Sequence, residues 1–326
     1  MKKSLLEYIA CPICRGDLLL TSDCVEDGGE IVSGALRCRC GKSFPVHHGV
    51  PILLVGGLSS LEQKTARSFG YEWERFSALC SAYRMNFLHY ISPIAEDFFA
   101  GKAVLDAGSG NGRHAYWTAR FGARDVIAMD FGDAAFVTQK NCADMPNVHV
   151  VQGDILHPPF KNGAFDYVFS IGVLHHLPDP EAGFRSLVPL VRLRGTLSIW
   201  VYGRANNISN VYIYETLRVL TRHIPHPSLY VLAYVPAFGV QCMNWLYLVC
   251  ARMPLVRRIA HHIPFSYYAN FPFYVKVNDT FDVFSAPRST YWRKKEIEAW
   301  YASAGFTNYA VSYLRKKGVK AFGLRP

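Results

Sequence analysis

A chain of 326 residues, 50% hydrophobic and 18% charged, has the length and apolar content for one large core and a small second one, which excludes an intrinsically disordered protein. Its net charge of +10 is concentrated: residues 1–56 carry 6 basic and 6 acidic side chains, residues 57–200 carry 13 and 14, and residues 201–326 carry 16 and 5. So uneven an excess marks a surface for nucleic acid, anionic lipid or an acidic substrate, or else an ordinary solvated face, and composition does not choose among them.

The chain opens with MKKSLLEYIACPIC, whose apolar run is too short for a secretory signal, so a cytoplasmic location is expected. Nine cysteines, an odd number with four in tight pairs, suit a reducing compartment and a metal better than a disulfide framework. The pairs are Cys11-Pro-Ile-Cys14 and Cys38-Arg-Cys40. Four thiolates arriving as two short pairs can close a tetrahedron around a structural zinc ion. The apolar run VPILLV then ends in GGLSS, a linker signal that closes a segment of about 55 residues, too small for a comfortable core without a crosslink.

LLEYIACPICRGDL followed by LRCRCGKSFPVHHGVPILL resembles the small zinc-ribbon domain related to the activator subunit of certain tRNA, rRNA and release-factor methyltransferases, over residues 1–56. Domains of that kind carry C-x-x-C at both ends, whereas here Arg37 stands where the outer cysteine of the second pair would fall. Three arrangements stay open: Cys38 reaching the metal through a shifted turn, Cys24 taking its place, or a ribbon held by packing alone. The resemblance implies a structural metal with no open position.

From 103 to 203 the pattern alternates. AVLDAG, VIAMD, VHVVQGD, FDYVFSIG and GTLSIWVYG read as strands separated by segments of helical length, so a parallel, doubly wound α/β sheet is expected. Ligands of such sheets bind at the carboxyl ends of the strands, where Gly108, Gly110 and Gly112 stand in the first strand-to-helix turn. A dinucleotide fingerprint would need its third glycine at position 113, which is Arg113, and no G-K-[ST] follows, so the phosphate-cradling readings fail. The tighter G-x-G-x-G suits a nucleoside without a pyrophosphate. Asp130 ends the second strand, where a carboxylate can accept both ribose hydroxyls, and Asp154 with Ile155 follows the third, placed for an adenine edge and face. Asp106, beside the glycines, can orient a cationic amino group. Together these favour S-adenosylmethionine, although each alone reads equally as an ordinary strand-end carboxylate.

VLDAGSGNGRHA, VIAMD, VVQGDI and FDYVFSIGVLHHLPDP resemble the class I S-adenosylmethionine-dependent methyltransferases, in particular their small-molecule, type 11-like branch, over residues 66–203. SFGYEWERF at 68–76 is similar to the aromatic lead-in that covers the cofactor site of bacterial members. The resemblance implies cofactor contacts at Tyr71, Asp106, Gly108, Gly110, Asp130, Asp154 and Ile155, and places Trp73 near the cofactor or acceptor. The chemistry asks for positioning and for exclusion of water, since the sulfonium already activates its methyl group. His175 and His176, after the fourth strand, stand on the acceptor side, either as a general base for a hydroxyl acceptor or as packing of the turn.

Beyond Gly203 a long insertion contains LYVLAYVPAFGVQCMNWLYLVCA, residues 229–251, without a charge. Its length permits a membrane span, but Pro236, Gly239, Gln241 and Asn244 interrupt it, so helices forming a lid over an apolar acceptor pocket are expected, with a lipid-facing role as the other reading. DTFDVFSAPRSTYWRKKEIEAWYASAGF resembles the family's FD-x-x-S-x-x loop and the helix that follows it, here roughly Arg293 to Ala304, with two last strands turning through RKKG. That implies acceptor contacts at Asp282, Ser285, Arg288 and Tyr291.

The expected architecture is a seven-stranded Rossmann-like methyltransferase sheet with a zinc-ribbon domain at 1–56, covering helices at 57–102, a cofactor core at 103–203, a helical insertion at 204–280 and the last helix and strands at 281–326. The expected activity is methyl transfer to a small, partly apolar molecule such as a specialised metabolite, lipid-like compound or saccharide intermediate. The rival is a tRNA, rRNA or protein methyltransferase that grips a macromolecule through the ribbon and the basic last third. Against it stand the neutral ribbon and the absence of an N-P-P-Y-type segment after the fourth strand. A non-enzymatic cofactor sensor is the third reading.

Overall fold

The structure, a computed structural model, describes all residues except 57–59, 205–207, 222 and 315–317. The expected linker beyond Gly56 and most of the expected RKKG turn therefore lie outside the described residues. Two compact units emerge: Met1–Ile208 with Arg288–Pro326, and Ser209–Pro287.

The first unit begins with a small antiparallel sheet of β1 (Leu18–Leu20), β2 (Val25–Asp27), β3 (Glu30–Cys38), β4 (Ser43–His47) and β5 (Val50–Leu53). His48 and Gly49 join β4 to β5 with both φ angles positive, the geometry of a tight two-residue hairpin. Ile31, Leu36, Phe44 and Val46 are buried on its inner face. The β5 strand then pairs in parallel with a core strand, Ile52 opposite Gln152 and Leu53 opposite Gly153, so the small sheet and the core sheet are one hydrogen-bonded surface.

Helices α1 (Ser60–Arg75) and α2 (Ala82–Ile91) lead into the core, where β6 (Ala103–Ala107), α3 (Arg113–Arg120), β7 (Asp125–Asp130), α4 (Ala134–Asn141), β8 (Val148–Gly153), β9 (Phe165–Ile171), α5 (Pro180–Leu187) and β10 (Val191–Tyr202) follow. The strands β6, β8 and β9 are buried at every position, as continuous apolar runs are when helices cover both faces. The order across the core is β8-β7-β6-β9-β10, then β12 (Gly318–Leu324) and β11 (Asn308–Leu314), both added antiparallel. These are the expected seven strands, and the order reverses beside β6, so the loop after β6 lies at the topological switch point.

The second unit contains α6 (Ile208–Thr221), α7 (His226–Arg252), α8 (Arg257–Ala260) and α9 (Phe273–Ser285). It corrects two expectations. Pro236 and Gly239 do not break the apolar stretch: α7 runs unbroken through both, because a proline removes a single backbone hydrogen bond while Leu229, Ala233, Ala237 and Asn244 keep one buried stripe packed along α9. The segment expected as an FD-x-x-S loop is instead the last turns of α9, where Val277, Phe281 and Phe284 recur at helical spacing and are buried. Arg218 Nε and Thr221 Oγ1 donate to Val283 O and Phe284 O, at 2.8 and 2.9 Å, tying α6 to α9. Back in the first unit, α10 (Lys294–Ser303) runs close to the expected bounds, with Ile297 and Trp300 buried and Gly305 at φ +85° beyond its end.

Candidate functional site

The loop after β6 is built on glycine conformations. Gly108, Gly110 and Gly112 have φ of +95°, +56° and +81°, all in the region that side chains avoid. Space forbids a side chain as well: a Cβ on Gly108 would lie 2.3 Å from Val173, one on Gly110 2.9 Å from the Trp73 indole, and one on Gly112 3.0 Å from Thr138. The loop is thus in van der Waals contact on three sides. Polar groups hold its backbone. Asp130 Oδ2 accepts from the Gly110 amide at 2.8 Å and Asp130 Oδ1 from the Gly132 amide at 3.2 Å. Thr138 Oγ1 donates to Gly110 O at 2.8 Å, and Asn141 Nδ2 reaches Asn111 O at 2.8 Å and Ser77 O at 2.7 Å. Asn111 Nδ2 donates to Phe76 O, just beyond α1.

Of the two acidic residues beside the loop, Asp106 is buried and Asp130 partly so. Asp106 is wholly enclosed, and neither carboxylate oxygen receives a hydrogen bond of normal geometry. Burial, with the nearby Asp130 charge adding to it, pushes Asp106 up to about 8, and burial raises Asp130 to about 6 despite its amide donors. An enclosed carboxyl group of this kind favours a cationic ligand group, which would restore its ionised form.

Helix α1 lies across the carboxyl edge of the sheet. Ala66 meets Gly132, Phe69 packs against His176 with ring centres 4.9 Å apart, Gly70 faces Asp133, and Trp73 covers Gly110. Phe69 and Trp73 stand one turn apart, so one helix face spans from the glycine loop to the histidine pair. Arg113 stacks its guanidinium on Trp73 at 4.9 Å and on Tyr83 at 5.1 Å, which holds the indole in place. Tyr71 lies on the same helix and is half-buried.

At the ends of β9 and β10, His175 is fully buried and stacks on Tyr202 at 3.8 Å, and Tyr291 stacks on the same ring at 5.9 Å. His176 Nδ1 lies 2.7 Å from Arg288 O. A carbonyl oxygen only accepts, so Nδ1 carries the proton, and the lone pair of the neutral ring is on Nε2. The structure therefore brings His175, His176, Arg288 and Tyr291 together. Asp282 and Ser285 belong to α9 of the second unit, and Arg288 and Tyr291 to the first. Asp154 is engaged in its own turn, accepting from the Leu156 amide at 2.8 Å and lying 3.1 Å from His157 Nδ1, with Ile155 buried beside it. No sequence motif singles out Thr138, Asn111 or Asn141 for these contacts. They are ordinary polar residues whose only signal is their place on α4 and in the glycine loop, opposite backbone groups that the sequence does not reveal.

The four cysteines of the small sheet converge. Their sulfurs all lie within 4.8 Å of one another, with Cys11 and Cys40 at 3.8 Å and Cys14 and Cys38 at 3.3 Å. Zinc–sulfur bonds of about 2.3 Å in a tetrahedron separate sulfurs by about 3.8 Å, so the donor set fits a structural zinc ion. Two tight turns make this possible. One closes through Cys11 N to Gly16 O, with Arg15 at φ +65°, and the other through Cys38 N to Lys42 O, with Gly41 at φ +86°. The second turn lets a C-x-C pair present both sulfurs, which resolves the open question of Cys38. Cys24 points elsewhere, 3.7 Å from Thr21 Oγ1. Arg15 joins this turn to the core through Asn162 Oδ1 at 2.9 Å, and Tyr8 does so through Asp125 Oδ2 at 2.6 Å.

Two known families match the chain. The family described as a methyltransferase domain matches residues 105–199, and that of Trm112p-like proteins matches residues 2–49. The chain is 38% identical over 101 residues to the tRNA U34 carboxymethyltransferase of Methylococcus capsulatus, a match covering 30% of this chain and 29% of that protein. It is 27% identical over 148 residues to the ubiquinone biosynthesis O-methyltransferase of Neisseria meningitidis serogroup A, covering 42% and 62%. The chain thus spans less than two thirds of these relatives. The solved structure of a SAM-dependent methyltransferase from Aquifex aeolicus aligns over 79% of this chain and 98% of its own, with a TM-score of 0.45 and 12% identity.

Proposed function

We propose that this chain, which carries a methyltransferase domain at residues 105–199 and a Trm112p-like domain at residues 2–49, transfers the methyl group of S-adenosylmethionine to a small, partly apolar acceptor. The observation that carries the reading is the glycine loop held by Asp130 and covered by Trp73, with the enclosed carboxyl of Asp106 beside it for a cationic group. When bound, the cofactor supplies an electrophilic methyl group. The chain does the rest. Asp130 accepts from the ribose, Asp154 and Ile155 hold the base, Asp106 faces the amino group, and α1 excludes water from the edge of the sheet. His176 receives a proton at Nε2 if the acceptor is a hydroxyl.

Support for a small acceptor comes from the aromatic surroundings of the histidines, formed by Phe69, Tyr202 and Tyr291, and from the quinone-directed name of the Neisseria relative. A tRNA, rRNA or protein acceptor is the second reading, favoured by the Trm112p-like domain and the tRNA-directed Methylococcus relative. Contact of the apolar insertion with lipid belongs with the first reading. The setting we assign is cytoplasmic, in line with four cysteines gathered for a metal and the other five not paired in disulfides. Calorimetric titration with S-adenosylmethionine, S-adenosylhomocysteine and a nicotinamide dinucleotide tests the cofactor. Micromolar binding of the first two alone supports it, and folded protein that binds none of them refutes it. A labelled-methyl screen of quinols against transfer RNA then separates the acceptors.

A further inference from the structure

Sixteen of the twenty-three large apolar side chains exposed among the described residues lie in the unit Ser209–Pro287. They are not scattered. On α7, Val231, Val235, Phe238, Trp245 and Val249 follow at helical spacing on the side away from the buried stripe, and Val235 is 71% exposed. A soluble helix places polar residues there. Past the end of α7 the pattern changes: exposed Arg252, Arg257 and Arg258 interleave with Leu255, 96% exposed, and Ile259, 62% exposed. From residue 216 to residue 278 the sequence has six lysines and arginines and no aspartate or glutamate.

We propose that this unit is a peripheral membrane anchor that lays the exposed face of α7 into the surface of an anionic bilayer. Aliphatic and aromatic side chains enter the acyl boundary, Trp245 and the exposed Tyr234 suit the headgroup level, and the arginines meet lipid phosphates. Charge complementarity selects this occupant, since an acid-free stretch of 63 residues with guanidinium groups among exposed aliphatics matches a continuous sheet of phosphates over hydrocarbon.

The helix lies on the membrane and does not cross it. At 27 residues α7 is long and apolar enough to span. Yet its inner stripe contains Asn244, wholly buried and donating to Phe265 O at 2.8 Å, and Gln241, which accepts from Lys276 Nζ of α9 at 2.7 Å. The helix α9 packed along it has 13 residues, about 20 Å, too short to span beside it, and carries Lys276, Asp279 and Asp282.

The test is vesicle flotation of the full chain, independent of any methyl transfer. Vesicles of phosphatidylcholine with about one third phosphatidylglycerol are expected to carry the protein, and phosphatidylcholine alone much less. Two combined variants follow, Val235→Glu with Phe238→Glu and Trp245→Glu, and Arg252→Glu with Arg257→Glu and Arg258→Glu. Each is expected to lower the bound fraction roughly tenfold or more, with unchanged thermal melting because the replaced side chains are exposed. High salt should release the wild type without any substitution. Failure of the wild type to float, or variants that bind as it does, overturns the proposal. So does a lipid-free dimer that the apolar variant dissociates, because the face would then be a self-interface.

Discussion

The Gly110 amide donates to Asp130 Oδ2 at 2.8 Å, joining the loop after β6 to the end of β7. The same carboxylate therefore shapes the cradle and, in the proposed function, receives the ribose. A hydrogen bond to a charged group contributes about 1.5–3 kcal/mol, so Asp130→Ala is expected to weaken S-adenosylmethionine binding by roughly tenfold to a hundredfold. Titration calorimetry reads this directly, and an unchanged affinity would remove the ribose assignment.

Gly110 carries two constraints that can be separated. Its φ of +56° costs an alanine about 1 kcal/mol, and the alanine Cβ would also meet the Trp73 indole at 2.9 Å. Gly110→Ala is expected to lower the melting temperature and abolish cofactor binding. Adding Trp73→Ala relieves the clash but not the backbone strain, so stability should return only in part. Complete recovery would show that the conformation of Gly110 is not needed.

Asp106 makes stability depend on pH with an unusual sign. Its carboxyl is raised to about 8 in the folded chain from an ordinary value of 3.8. Between these values the folded state holds a proton that the unfolded state has lost, so stability falls as pH rises through the window, by up to about 1.4 kcal/mol per pH unit, and levels off above it. Asp106→Asn removes this loss. Melting curves of the two proteins should converge near the acidic end of the window and differ most above its alkaline end, with the asparagine variant the more stable. Parallel curves would contradict the burial argument.

The metal site predicts an unequal set of cysteine variants. Cys11, Cys14, Cys38 and Cys40 converge, while Cys24 is directed at Thr21 and Ala35. Serine at any of the four is expected to lose the bound zinc and lower stability, because the ion crosslinks a sheet with a small core of its own. Cys24→Ser should retain a full equivalent, read by atomic absorption. Loss of zinc in Cys24→Ser but not in Cys38→Ser would reverse the ligand assignment.

The strands were legible because burial on both faces writes them as unbroken apolar runs, and the loop because glycine is the residue that accepts positive φ. Contacts made by ordinary residues were not. Thr138 and Asn141 read as unremarkable positions of α4 until the fold sets them against the carbonyls of Gly110 and Asn111. Likewise the family pattern makes FDVFS a loop, although Val277, Phe281 and Phe284 have the spacing of a helix, and the buried face they make belongs to α9. The unbroken course of α7 through Pro236 was hidden for a related reason: tertiary packing along α9 outweighs a local helix breaker.

The two adjacent histidines should respond differently to substitution. His175 is buried against Tyr202, and its backbone carbonyl accepts from both the amide and the hydroxyl of Thr290, at 2.9 and 3.0 Å. His175→Gln is therefore expected to act through packing, lowering the melting temperature. His176 has its Nδ1 proton committed to Arg288 O, which orients Nε2 as the proton acceptor. With a hydroxyl acceptor, His176→Gln should reduce kcat by roughly 10²–10⁴ while leaving cofactor affinity unchanged, and should flatten the acid limb of the pH–rate profile. An acceptor methylated at an atom that loses no proton during attack would leave kcat nearly intact in the same variant, so this one substitution reports on the chemistry of the acceptor as well as on the role of the residue.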